Sequence, residues 1–292
     1  ELPGYLNLFQ GYDSANNSAG TYGWLAIVST LAWGLGYFGM PQILLRFMGI
    51  SSPSQVKLSR RVASGWVIIA LAAATFIGVI GYGMVQNGVI EALQDPEQII
   101  VVIANLIGSY GVIPALIAGV ILAGIMAASM STADSQLLAA SSSVSENIFR
   151  GTFRINLSER GTILTARFVV IVIALIAMFI AKDPSSSIFE IVSFAWAGFG
   201  AAFGPVVLFS LFWKRSNAWG ALAGMISGGA MVFIWKFVIS SLGGAWGIYE
   251  LLPSFIISAI LIVVVSLLTS PPSKEIEKEF DQVLTMVKNS RG

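Results

Sequence analysis

Seven stretches of this chain each run for about twenty apolar residues, the length that crosses a bilayer as a helix. They occupy residues 23–48, 64–86, 112–140, 161–181, 188–213, 217–241 and 252–269. None shows the alternation of polar and apolar residues that marks a barrel strand, so each is predicted to be a helix. Little remains from which to build a water-soluble surface: 11% of residues are charged, against about 25% in a soluble domain. The fold class is therefore an all-α polytopic membrane protein with about seven transmembrane helices. Pro96–Gly108 is shorter and follows acidic residues; it is predicted to be an interfacial or re-entrant helix.

The loops between these stretches set an orientation, because short cytoplasmic loops collect Lys and Arg. Arg46, Lys57, Arg60 and Arg61 follow the first stretch; Arg150, Arg154, Arg160 and Arg167 follow the third. Lys214 and Arg215 follow the fifth, and Lys274, Lys278, Lys288 and Arg291 lie in the tail. Together these are 14 of the 16 basic residues. The alternate loops hold Lys182, Lys236 and the acids Glu91, Asp95, Glu97, Asp183 and Glu250. The expected arrangement is a multi-pass protein of the inner (plasma) membrane, its N-terminus outside and its C-terminus cytoplasmic. After Pro271-Pro272, residues Ile276, Phe280, Val283, Leu284 and Val287 recur at helical spacing among charges. A short amphipathic helix is predicted there, solvated or lying on the membrane.

Composition also removes whole classes of chemistry. With no cysteine and no histidine, disulfides, thiolate nucleophiles, zinc sites and imidazole acid–base catalysis are excluded. No phosphate-binding glycine motif is present, and no pair of carboxylates lies inside an apolar stretch. The chain is not expected to be an enzyme, and no nucleic-acid partner is expected.

One stretch interrupts itself. "LAWGLGYFGMPQ", Leu31–Gln42, carries Gly34, Gly36, Gly39 and Pro41. Glycine weakens a helix interior, and proline removes a donor and clashes one turn back. Irregular backbone at membrane depth persists only where protein or a wet cavity covers it. Broken helices of this kind build the binding sites of secondary transporters. Trp33 and Tyr37, four residues apart, fall on one side of this segment. The residues alone leave open a second reading, in which the glycines serve close helix packing. That packing role is assigned to Gly220, Gly224 and Gly228, and to Gly200 and Gly204.

A second stretch, "ILAGIMAASMSTADSQLLAASSSVSENIF", is dense in hydroxyls. Ser131 and Thr132, with Ala128 one turn earlier, offer the hard oxygen donors that a small monovalent cation takes. Such hydroxyls equally bond backbone carbonyls within their own helix, and the residues leave both readings open. Asp134, the one acid well inside this region, is either functional or a wet structural group.

Taken together, "WGLGYFGMPQILLRFM", "AASMSTADSQLL" and "FAWAGFGAAFGPVVLFSLFW" resemble the solute:sodium symporter family. The last of these, followed by "NAWGALAGMISG", is similar to its proline-carrying branch. The resemblance implies a LeuT-like fold: the second of two inverted five-helix repeats, then two peripheral helices. It divides the chain into an outer loop (1–20), core helices six to ten (21–213), the peripheral pair (214–270) and a cytoplasmic tail (271–292). It implies that Trp33, Tyr37 and Pro41 line the substrate site, and that Ala128, Ser131 and Thr132 hold a co-transported sodium ion. Phe194 and Trp196 become gating candidates. The expected function is sodium-coupled import of a small solute, L-proline first. The alternatives are another substrate (a different amino acid, a sugar or a carboxylate) or a symporter-like sensor module. Met40 stands where the proline carriers have glutamine, and Asp134 where they have a small hydroxyl residue. The partners implied are the solute, sodium, the lipid bilayer and an N-terminal half carrying the first repeat. Without that half the chain is expected to be inactive.

Overall fold

The structure, a computed structural model, describes residues 7, 9–13, 18–52, 54–155, 158–182 and 187–289. Asp183 and Arg291, counted above among the loop and tail charges, lie outside them. A small antiparallel hairpin, β1 (Gln10–Asp13) with β2 (Ser18–Thr21), precedes the helices. The chain is otherwise helical, as its periodicity dictates.

Six of the seven apolar stretches form helices long and apolar enough to cross a membrane. The first does not form one helix. It divides into α1 (Trp24–Gly36) and α2 (Pro41–Met48), with residues 37–40 outside either. Pro41 sits in the first turn of α2, where its missing amide costs nothing. The sequence therefore breaks this helix as its glycines and proline predict.

The chain packs as two compact units. One holds residues 50–182. Here α3 (Gln55–Gln86) is followed by a turn of 3₁₀-helix and α4 (Ile99–Gly108), then by α5 (Val112–Ser142). The Pro96–Gly108 segment is thus helical as expected. Asp95 starts it, its carboxylate accepting the Glu97 amide at 2.9 Å. A Cβ on Gly81 of α3 would overlap Ile99, so α3 and α4 touch through a missing side chain. Beyond Ser142, α5 continues as π-helix through Thr152, one helical run of 41 residues. Its hydroxyls bond back along the chain: Ser141 to Leu138 O, Ser145 to Ser142 O, and Thr152 to Asn147 O. The five-residue step of the last bond matches the wider π turn. Helix α6 (Glu159–Ile180) follows, its first turn capped by the Ser158 hydroxyl.

The other unit holds residues 1–49 and 183–292. Its centre is a three-helix packing of α7 (Ile188–Phe212), α8 (Ala218–Ile234) and α9 (Leu251–Leu268), with α1 against α7 and α9. Ala197, Ala201, Val232, Leu251 and Phe255 form the buried core. The predicted packing role of the glycines is what the structure shows. A Cβ on Gly224 would overlap Ile262, and one on Gly220 would overlap the Ser266 hydroxyl. Gly228 lies directly on the Ala201 carbonyl. That carbonyl is the one Pro205 leaves without its usual helical donor, four residues on. At the far end Asn217 caps α8 through Gly220 N–H at 2.8 Å and donates to Thr269 Oγ1 and Ser270 O. The predicted amphipathic helix exists as α10 (Lys274–Asn289), tied back by Lys214 Nζ to Asp281 at 2.7 Å.

Candidate substrate and ion sites

The break between α1 and α2 lies flat against α7, and glycines make the approach possible. A Cβ on Gly39 would overlap the Phe199 carbonyl and stand 2.8 Å from Gly204 N and 2.9 Å from Gly200 Cα. A Cβ on Gly200 would stand 2.8 Å from Gly36 Cα. Carbonyls in the last turn of a helix run out of regular donors. Here Leu35 O accepts from Phe38 N–H at 3.3 Å and Gly36 O from Gly39 N–H at 3.0 Å. Trp33 O accepts from the Trp196 indole at 3.0 Å. Met40 O accepts from Ile43 and Leu44 N–H and starts α2, while the Met40 side chain is buried.

Aromatic rings gather at this point. Trp33 stacks with Phe189 (5.4 Å between centroids), Tyr249 (5.6 Å) and Trp196 (6.0 Å). Tyr37 meets Trp196 edge to face at 4.8 Å and is 56% exposed. So Trp33, Tyr37 and Trp196 come together at the break, Trp33 half-buried among its neighbours and Tyr37 open. Pro41 is on the same segment, at the start of α2. Phe194 is not part of this group. It turns to the other side of α7, against Phe233 (5.1 Å) and Phe237 (5.7 Å). There it lines an apolar groove of about 260 Å³ with Phe199, Phe203 and Val232.

Tyr249 and Phe189 were not foreseen. Tyr249 precedes α9, far in sequence from Trp33, and no spacing signals it. Its amide donates to Ser29 Oγ at 3.0 Å and its hydroxyl to Ser193 O at 2.6 Å. It thus joins α1 to α7 while its ring lies 15° from the plane of Trp33. Burial, and then the neighbouring Glu250 carboxylate, push the phenol well above its ordinary range, so it remains a neutral donor. The loop carrying it is pinned by the Trp235 indole, which donates to Trp246 O and Ile248 O at 3.2 Å each.

The hydroxyl cluster lies in the other unit, on α5. Ser131 Oγ donates to Ala128 O at 3.0 Å, and Thr132 Oγ1 donates to the same carbonyl at 3.1 Å. Three oxygens therefore crowd one helical turn. Each hydroxyl spends its proton on the carbonyl, which leaves its lone pairs to accept. Uncharged hard oxygens of this kind fit a monovalent cation better than a transition metal. No group of three His, Cys, Asp or Glu side chains able to hold a metal occurs among the described residues. Ser131, Thr132 and Asp134 are all exposed in this chain.

Residues 13–228 match the family model described as "SSF: Sodium:solute symporter family". A "Sodium/proline symporter" of Haemophilus influenzae is 42% identical over 270 residues, 91% of this chain and 53% of that protein. Two Bacillus subtilis proteins match over a similar extent. The "Osmoregulated proline transporter OpuE" is 40% identical over 91% of this chain and 53% of its own length. The "High-affinity proline transporter PutP" is 39% identical over 96% of this chain and 55% of its own. The chain thus spans about half the length of the curated relatives it matches. No solved structure matches it. With a family model covering most of its length and relatives near 40% identity along nearly all of it, the chain belongs to the sodium:solute symporter family.

Proposed function

We propose that this chain is the C-terminal part of a sodium-coupled symporter that imports L-proline. The observation that carries the proposal is the broken helix, its last-turn carbonyls re-bonded and its aromatic side chains gathered, in a chain 42% identical to a sodium/proline symporter. Tyr37, with Trp33 behind it and Pro41 beyond, forms the apolar wall against which a pyrrolidine ring packs. The oxygens of Ala128, Ser131 and Thr132 receive the sodium ion as cargo. Sodium shifts the population toward the form with an ordered substrate pocket, and linkage makes the coupling reciprocal. The repeat assignment follows the same reading: residues 21–213 as core helices six to ten in a LeuT-like arrangement, residues 214–270 as the peripheral pair. So does the orientation, with the N-terminal hairpin outside and α10 in the cytoplasm. The N-terminal half of the relatives would complete both sites, and residues 1–292 alone are expected not to transport.

The test is labelled L-proline uptake by the full-length protein in vesicles, under an inward sodium gradient and with potassium in its place. Sodium-dependent uptake that disappears when Ser131 and Thr132 are both alanine supports the reading. Sodium-dependent uptake untouched by that double change refutes the ion site. A second reading rests on Met40. The resemblance sets Met40, buried here, where the proline carriers have glutamine, so a different solute is the alternative, separated by competition among amino acids, sugars and carboxylates.

A further inference from the structure

We infer that Trp196 is a positioning residue of the substrate site, holding the end of α1 in its broken shape, and not a gate that swings. The inference rests on the transport reading above for what the site binds, but its geometry stands without it.

Several contacts fix the indole. Its Nε1 donates to Trp33 O, 163 residues away in sequence, at 3.0 Å. Its ring meets Tyr37 edge to face at 4.8 Å and stacks beside Trp33 at 6.0 Å. It also rests on Gly36: a Cβ there would overlap Nε1, with Cε2 only 2.6 Å away. The seat exists because Gly36 has no side chain. The backbone beneath cannot drift, since Gly36, Gly39, Gly200 and Gly204 bring α1 and α7 into direct main-chain contact. A gate must leave its neighbours at low cost. To swing, Trp196 would surrender its bond to the Trp33 carbonyl, one of the last-turn carbonyls that α1 leaves without a regular donor, and would give up its contacts with Trp33 and Tyr37 at once. Phe194, two residues earlier, faces the opposite side of α7 and shares none of these contacts.

The test uses the full-length transporter with three variants. Trp196→Phe keeps a ring but removes the donor. Gly36→Ala keeps the donor but fills its seat. The third combines both. Hydrogen exchange reports first. The peptide covering residues 34–40 is expected to exchange about tenfold faster in each single variant, roughly the worth of one hydrogen bond, with α8 and α9 unchanged. In uptake, the KM for the transported solute is expected to rise about five- to tenfold with kcat retained. The double variant is expected to be no worse than Trp196→Phe, because both changes act on one contact. A fall in kcat at unchanged KM, with residues 34–40 still protected, would identify a gate and overturn the inference. Equal loss of protection in all helices would also overturn it, since that marks a fold element and not a local brace. If the wild type fails to carry proline, the proposed function falls, while the exchange measurement still decides the role of Trp196.

Discussion

Gly39→Ala is the sharpest probe of how the broken helix is seated. The added Cβ would meet three atoms of α7, namely Phe199 O, Gly204 N and Gly200 Cα, all of them backbone. None can rotate aside, so α7 or the break must move. Overpacking of this kind costs about 1–3 kcal/mol, and a site walled only by main chain belongs at the upper end. Gly34→Ala is the control. It lies five residues earlier on the same segment, inside α1, with nothing within 4 Å of its Cβ. Alanine there is expected to gain about 0.5–1 kcal/mol from helix propensity. The two variants should differ by about 3–4 kcal/mol, which corresponds to roughly 3 °C in Tm for a full-length protein about twice the length of this chain. Thermal unfolding of the full-length protein in detergent, followed by tryptophan fluorescence, reads the difference. Uptake should be lost in Gly39→Ala and kept in Gly34→Ala. Equal Tm values would refute the reasoning, because then the break does not lie on α7 as the structure has it.

Other outcomes follow from the same contacts. Ser131→Ala with Thr132→Ala should raise the sodium concentration for half-maximal uptake at least tenfold and leave Tm nearly unchanged, since each hydroxyl bonds only its own helix; an unchanged sodium dependence counts against the site. Tyr249→Phe removes the bond to Ser193 O and should cost about 1 kcal/mol of stability with a several-fold rise in KM, measured by unfolding and uptake. Gly228→Ala drives a methyl into the Ala201 carbonyl and should lower Tm as strongly as Gly39→Ala without a specific change in sodium dependence. The Lys214–Asp281 pair is exposed, and the carboxylate holds the lysine above its ordinary range. A raised lysine contributes below its unfolded pKa and loses that contribution as pH climbs through the folded one. Asp281→Asn should therefore change nothing in Tm between pH 6 and 9 beyond a small, salt-sensitive shift; a large shift would show that α10 is anchored more firmly than this contact allows.

Most of the architecture can be read from periodicity, because a bilayer admits so few backbone solutions. The six long helices and the division of the first stretch follow from apolar length and from Gly36, Gly39 and Pro41. The packing faces follow from Gly220, Gly224 and Gly228 at one-turn spacing. Other features follow from contacts that spacing does not carry. Trp196 and Trp33 meet across 163 residues, and Tyr249 reaches Ser29 across 220. Phe194 and Trp196 look equivalent as neighbours in one motif, yet α-helical geometry sends them to different sides of α7. The apolar window at 112–140 ends at the serine run 141–143, but the helix does not. Its hydroxyls satisfy themselves on carbonyls of their own chain and let the winding continue as π-helix to Thr152. Hydropathy measures solvent preference and is silent about that.

The run from Val112 to Thr152 has a mechanical consequence. At 1.5 Å per residue its 41 residues make a rod about 60 Å long, twice the hydrocarbon thickness of about 30 Å. Thr132 is its midpoint. A rod rocked about its centre behaves as a seesaw: a 5° tilt carries each tip about 2.6 Å, from a half-length of about 30 Å, while the fulcrum hardly shifts. The oxygens of Ala128, Ser131 and Thr132 stand at that fulcrum. Large excursions at both tips are compatible with the proposed ion nest keeping its shape.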